Sequence, residues 1–282
     1  MSDGNDADNS GAGTGGEDAR SLIAERLGAD RPVSWRVEGF RTLEATRRRS
    51  EVRRLAAAAR ALIEHLVTTT APEEDVVAAA DRLEELVRVI GALPSGQAYE
   101  GFREAANAGA AMAEPRPAGT AGRAPTMAAD DPELFAFFDH SPYIGLANPL
   151  SPPMVLDHVG DRIVGRVTFG AAYEGPPGCV HGGYVAGAFD EVLGAAQSLS
   201  GLTGMTAHLE VDYRRPTPLH RPLVLEAWLS ELDGRKVRVR GTLHAGEELT
   251  AEAEGLFIAF DPAKFGAMRA ARDAGGQLPD QG

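Results

Sequence analysis

The residues able to do chemistry in this 282-residue chain gather in one stretch, Val180-His181-Gly182-Gly183-Tyr184-Val185-Ala186-Gly187-Ala188-Phe189-Asp190-Glu191. A glycine pair opens what reads as a helix from about Gly182 to Ser198, and a carboxylate follows about two turns on. The first amides of a helix lack intrahelical acceptors and sit at the positive end of its dipole, so they suit a polar ligand atom. Asp190 is held on the same rod. Glycine inside a helix costs about 0.5–1 kcal/mol relative to alanine, so Gly182, Gly183, Gly187 and Gly194 need a packing or ligand reason. Ala186, Gly187 and Gly194 flank Asp190 at i−4, i−3 and i+4, which leaves that face bare enough for a second backbone or a thin ligand.

Neighbouring groups offer competing chemistry. His181 belongs with the catalytic candidates, and a histidine before a glycine pair can instead fix the turn by a hydrogen bond. Glu191 is displaced by about 100° around the helix from Asp190 and takes second place as the acting carboxylate. Cys179 and His181 fall on one face of an extended backbone, the arrangement of a Cys-His nucleophile. The seven histidines show no metal-ligand spacing, and no G-x-S-x-G occurs, so neither a metal nor a serine nucleophile is expected. Arg214, Arg215, Arg221, Arg235 and Lys236 cluster at strand ends, either as phosphate ligands or as edge charges that block aggregation.

Composition narrows the classes further. The formal net charge of −13 argues against a nucleic-acid or anionic-membrane binder, because both need a positive surface. A single cysteine allows no intramolecular disulfide and fits a reducing cytoplasm. No basic-then-apolar leader opens the sequence and no run approaches a membrane span, so membrane insertion and export are not expected. Gly11-Ala12-Gly13-Thr14-Gly15-Gly16 matches a dinucleotide fingerprint in form only, since no strand precedes it; no cofactor is expected.

The elements that must position the site divide the chain. Residues 1–20 read as a disordered leader of Gly, Asp, Asn and Ser. Residues 36–93 read as an α-helical hairpin: one amphipathic helix from about Val37 to Val67, then Thr70-Ala71-Pro72-Glu73 as a capping box, then a helix with Val76, Val77, Ala80, Leu83, Leu86, Val87 and Ile90 inward. The arginines at 47, 48, 49, 53 and 54 are diluted by acids, as on a solvated face. Residues 94–129 form a Gly/Ala/Pro-rich linker. Within 130–262 two short strands precede the Gly182 helix, and four follow it in meander order, the last three separated by Asp233-Gly234 and Ala245-Gly246. Met205 to Tyr213 alternates apolar and polar residues, as in a half-buried strand. Residues 263–282 read as a disordered tail. The fold class expected is α+β: a curved antiparallel sheet wrapped around one helix, preceded by the hairpin.

The run Glu174-Gly175-Pro176-Pro177-Gly178-Cys179-Val180-His181-Gly182-Gly183, with Asp190 nine places after His181, resembles the hot-dog-fold acyl-CoA thioesterases of the PaaI type, within them the thioesterase superfamily member 4 branch. Thr206-Ala207-His208-Leu209-Glu210-Val211-Asp212-Tyr213-Arg214-Arg215-Pro216 and Asp233-Gly234-Arg235-Lys236 also look like that branch, and the likeness runs from about Phe135 to Phe260. The resemblance implies a hot-dog fold that hydrolyses acyl-CoA to a carboxylic acid and coenzyme A. By the same resemblance Asp190 is the general base or nucleophile, the Gly182 amide polarises the thioester carbonyl, and Thr206 assists the carboxylate or its water. Gly183, Asp212, Arg214 and Arg235 are carried over as substrate-binding positions. Gly175 stands where related aromatic-CoA thioesterases often have Asn or Gln. A binder of acyl-CoA that does not turn it over, regulating a partner through the hairpin, is the alternative. Hydratase chemistry fits less well, because those hot-dog enzymes place the aspartate before the histidine.

Eight residues separate Gly182 from Asp190, roughly 12 Å along a helix axis. One chain cannot bring both to a single carbonyl. Two antiparallel helices meeting across a two-fold axis would set the Asp190 of each against the Gly182 of the other, so a homodimer or higher homo-oligomer with shared sites is expected.

Overall fold

The structure, a computed structural model, describes residues 47–94, 140–202 and 204–259. The expected leader, nearly all of the linker, the tail and the first part of the first helix lie outside these residues. Two helices come first, α1 (Arg47–Thr68) and α2 (Glu73–Gly91). Strands β1 (Val155–Val159) and β2 (Arg162–Val167), helix α3 (Gly182–Gln197) and strands β3 (Gly204–Tyr213), β4 (Leu223–Asp233), β5 (Lys236–Ala245) and β6 (Glu248–Ala259) follow. The strands make one six-stranded antiparallel sheet in the order β1-β2-β4-β5-β6-β3.

Alternation builds this sheet. Leu223, Leu225, Ala227 and Leu229 of β4 and Val237, Val239, Leu243 and Ala245 of β5 point inward, and their sequence neighbours do not. The β4–β5 and β5–β6 turns carry Gly234 at φ 55° and Gly246 at φ 68°, the left-handed values that tight hairpins demand. Helix α3 lies across the concave face, burying Val185, Ala188, Phe189, Val192, Leu193 and Ala196. A Cβ at Gly165 of β2 would stand 3.0 Å from Val192 Cγ2, and one at Gly241 of β5 would stand 3.2 Å from Leu193 Cδ2. Small residues in the strands are therefore what lets the sheet close on the helix.

Four expectations need correction. The meander order holds for β4, β5 and β6 only, because β3 pairs with β6 at the sheet edge and not with β4. The half-buried alternation of β3 is not realised: Met205, Ala207 and Tyr213 are exposed, and only Leu209 and Val211 are partly covered. β3 is an edge strand hydrogen-bonded to β6 alone, with a bulge at Ala207, so its inward set has little to pack on. Helix α2 buries no residue, and of its expected inward stripe only Leu83 is partly covered. A 3.6-residue period says that a helix has an apolar face, not what covers it. The capping box also fails, because Pro72 is the N-cap and makes no side-chain bond; Glu73, Glu74 and Asp75 complement the helix dipole instead.

Helix α1 is tied to the sheet domain by polar contacts. Its inward face is Val52, Ala56, Ala59, Arg60, Ile63 and Glu64, while Leu55, Leu62 and Leu66 stay exposed. Arg60 donates to the carbonyls of Leu146 (3.2 Å) and Asn148 (2.8 Å). The Glu64 carboxylate accepts from the amides of Ala171 (2.8 Å) and Ala172 (3.2 Å), which open the 3-10 turn Ala171–Tyr173.

Candidate active site

The start of α3 is built by its own sequence. His181 is the N-cap, extended at φ −60° and ψ 133°, and its Nδ1 accepts from the Gly183 amide at 3.0 Å. The amides of Tyr184 (2.9 Å) and Val185 (3.3 Å) donate to the His181 carbonyl. Three of the first four helical amides are thereby satisfied, and Gly182 N–H alone has no partner among the described residues. The Tyr213 hydroxyl donates to the Gly182 carbonyl at 2.8 Å and pins the same turn from β3. A Cβ at Gly175 would come within 2.8 Å of His181 Cα, so the loop closes on this turn only with glycine there. Cys179 Sγ points to the Pro177 carbonyl at 3.6 Å, and with His181 Nδ1 turned to Gly183 the two do not form a nucleophile pair.

Two turns along the same helix, near its middle, Asp190 is partly exposed and accepts a 2.8 Å hydrogen bond from the Thr206 hydroxyl of β3. That bond fixes one carboxylate oxygen and leaves the other open. Glu191 projects about 100° further around the helix. Its residue keeps some surface, yet the carboxyl is enclosed, and burial pushes its pKa up to about 7; the Ser141 hydrogen bond (3.3 Å) opposes this and the nearby Asp190 adds to it. Two adjacent carboxyls thus occupy different environments, one open and one interior.

The expected substrate-binding residues divide between the two ends of β3. Asp212 and Arg214 lie together at its C-terminal end, where Arg214 also pairs with Glu252. Arg235 lies at the other end, its Nε donating to the Ala259 carbonyl at 2.7 Å, and Ala259 is paired with Gly204. One chain therefore presents two half-sites: Gly182, Gly183, Tyr213, Asp212 and Arg214 at one end, Asp190, Thr206 and Arg235 at the other. A cavity of about 250 Å³ lies elsewhere, beneath α1, lined by Arg60, Ile63, Glu64, Pro152, Thr168 and Tyr173.

Ser141, Tyr143 and Tyr213 escaped the sequence reading. Gly187 was the available signal for one of them: a Cβ there would stand 1.7 Å from the Tyr143 hydroxyl, which supplies the packing reason that glycine needed.

A single helix carrying an unpartnered amide and an open carboxylate, held across a six-stranded antiparallel sheet, is the arrangement of a hot-dog domain. A sequence profile of the thioesterase superfamily matches residues 177–252. A solved structure described as a thioesterase superfamily protein shares 30% identity, with 73% of this chain and 90% of that one covered, at a TM-score of 0.56. Acyl-coenzyme A thioesterase THEM4 of Rattus norvegicus is 38% identical over 105 residues, which are 36% of this chain and 45% of that protein. The Bos taurus protein of the same name is 39% identical over 97 residues, 34% and 40% of the two chains. The chain belongs to the thioesterase superfamily. It spans less than half the length of these curated relatives.

Proposed function

We propose that the protein is an acyl-CoA thioesterase of the PaaI type, acting as a homodimer whose two sites are each shared between chains. The observation that carries this reading is the pair of half-sites on α3: one free amide at Gly182 and, two turns on, the open carboxylate of Asp190. The exposed edge of β3 and its uncovered Met205 and Tyr213 support a partner lying alongside. An antiparallel partner would bring its Gly182 to face this chain's Asp190, with Thr206 and Arg235 on one side and the partner's Asp212 and Arg214 on the other.

In such a site the thioester carbonyl oxygen accepts from the Gly182 amide of one chain. Asp190 of the other removes a proton from water as its oxygen attacks the carbonyl carbon, with Thr206 holding the second carboxylate oxygen. The carbon–sulfur bond then breaks, and the coenzyme A thiolate takes the proton that Asp190 accepted. Direct attack by Asp190, with water hydrolysing the resulting anhydride, gives the same products. His181 acts through the turn it caps. The lone thiol of Cys179 fits a reducing cytoplasm as the working compartment, and no helix among the described residues is long and apolar enough to cross a membrane.

The test is thiol release from a panel of acyl-CoAs. Asp190→Asn is expected to lower kcat by about 10²- to 10⁴-fold, and equal rates in variant and wild type would end the assignment. Gly182→Pro deletes the free amide at a position where proline fits, after a residue already extended at ψ 133°. Each variant alone is expected to be inactive, and mixing them after co-refolding recovers about a quarter of wild-type activity, because half the dimers are mixed and each has one intact site. No recovery on mixing overturns the shared site. Tight acyl-CoA binding without thiol release favours the regulatory alternative.

A further inference from the structure

Gly187 lies in the middle of α3, where glycine weakens a helix, and the notch it leaves is filled by the Tyr143 hydroxyl, 1.7 Å from where a Cβ would be. The tyrosine is half-buried, its amide donates to Ser141 Oγ, and its carbonyl accepts from Met154 N at 2.9 Å. Its hydroxyl has no hydrogen-bond partner among the described residues. A helix weakened to admit a hydroxyl that bonds to none of the described residues leaves that hydroxyl available to a ligand. Asp190 and Glu191 follow Gly187 at i+3 and i+4, so the phenol sits within one turn of both carboxyls.

Tyr143 is held there by a relay. Ser141 Oγ accepts from the amides of Tyr143 and Ile144, each at 3.2 Å, and donates to Glu191 Oε2 at 3.3 Å. Burial, together with Tyr184, Asp190 and Glu191, pushes the phenol's pKa above its ordinary value, so the group is a donor at neutral pH.

We propose that Tyr143 selects the acyl group: its hydroxyl donates a hydrogen bond to an uncharged oxygen on the acyl portion of the thioester, and Glu191 positions it through Ser141. This rests on the acyl-CoA thioesterase reading. The acyl portion is the part concerned, because Asp190 marks the thioester carbon and the anionic phosphates of coenzyme A would be repelled by the Asp190 carboxylate beside Tyr143. The same charge disfavours an acyl carboxylate. Three residues of helix advance about 4.5 Å, a span that an oxygen on the third or fourth acyl carbon bridges together with a hydrogen bond of about 2.8 Å. The substrate class is therefore short acyl thioesters bearing a hydroxyl or keto oxygen there.

The experiment compares kcat/KM for butyryl-CoA and 3-hydroxybutyryl-CoA, both stereoisomers of the latter, in the full-length protein. Wild type is expected to prefer a hydroxylated substrate, and Tyr143→Phe to lower that preference by about fivefold, the worth of one neutral hydrogen bond. Ser141→Ala and Glu191→Ala lower the same ratio, whereas Glu191→Gln, which still accepts from Ser141, keeps it. A merely structural role would depress both substrates together and leave the ratio unchanged. An unchanged ratio in Tyr143→Phe, with circular dichroism matching wild type, overturns the proposal. Wild-type protein that releases thiol from no acyl-CoA overturns the thioesterase reading and this inference with it, so the two failures are told apart.

Discussion

Replacing Glu191 with glutamine removes a carboxyl that the fold takes out of its ordinary titration range. Burial raises its pKa from 4.5 to about 7. The folded protein therefore keeps a proton that the unfolded chain releases as pH climbs through that interval. More protons are bound in the native state than in the unfolded one, so stability falls as pH rises from about 4.5 to about 7, and its full value is present only below that window. At 1.36 kcal/mol per pKa unit the loss amounts to about 3 kcal/mol by pH 8. Glutamine fills nearly the same volume, still accepts from the Ser141 hydroxyl and titrates in neither state. Urea unfolding of wild type and Glu191→Gln at matched protein concentration, at pH 4.5 and pH 8, isolates the effect, because the rest of the titration cancels in the difference. The variant is expected to match wild type at the acid end and to exceed its stability by about 3 kcal/mol at pH 8. A difference between the two proteins that does not change with pH would refute the reasoning.

Gly187→Ala drives a methyl into the Tyr143 hydroxyl, and thermal melts should show a loss of about 1–3 kcal/mol; in a Tyr143→Ala background the same substitution is expected to cost little. His181→Ala removes the acceptor for Gly183 N–H and should cost about 0.5–2 kcal/mol, with His181→Asn recovering much of the stability in the same melts. Glu64→Ala leaves the amides of Ala171 and Ala172 without their carboxylate, and hydrogen exchange at those two positions should quicken along with a stability loss of about 1–3 kcal/mol.

What was legible in the sequence follows the range of the forces involved. Strands β4, β5 and β6 are set by alternation within each strand and by Asp233-Gly234 and Ala245-Gly246 between them, all local, and both turns fall at those residues in the structure. The same holds for α3, whose start is written in its glycine pair and capping histidine. The exposure of β3 was not legible, because alternation describes one strand and burial depends on what lies opposite. The uncovered stripe of α2 has the same cause. Within the candidate site the hydrogen bond from Thr206 to Asp190 joins residues that only the family resemblance had singled out together, and the interior placement of Glu191 required knowing which side of α3 meets the sheet. Tyr143 announced itself only through the glycine it presses on, and no local pattern ties residue 143 to residue 187.

The clasp between α1 and the sheet domain bears on how this protein can be shortened. Glu64 and Arg60 reach across 107 and 86 residues of chain, to Ala171 and Leu146. The stretch matched by the thioesterase profile begins only at residue 177 and contains neither end of those bonds. A fragment that begins between α1 and the loop carrying Tyr143 would strip two peptide N–H groups and two peptide oxygens of their charged partners, and one cut at residue 177 would lose that loop and strands β1 and β2 as well. Evolutionary kinship and mechanical self-sufficiency thus draw different borders on this polypeptide, and a truncation should respect the second.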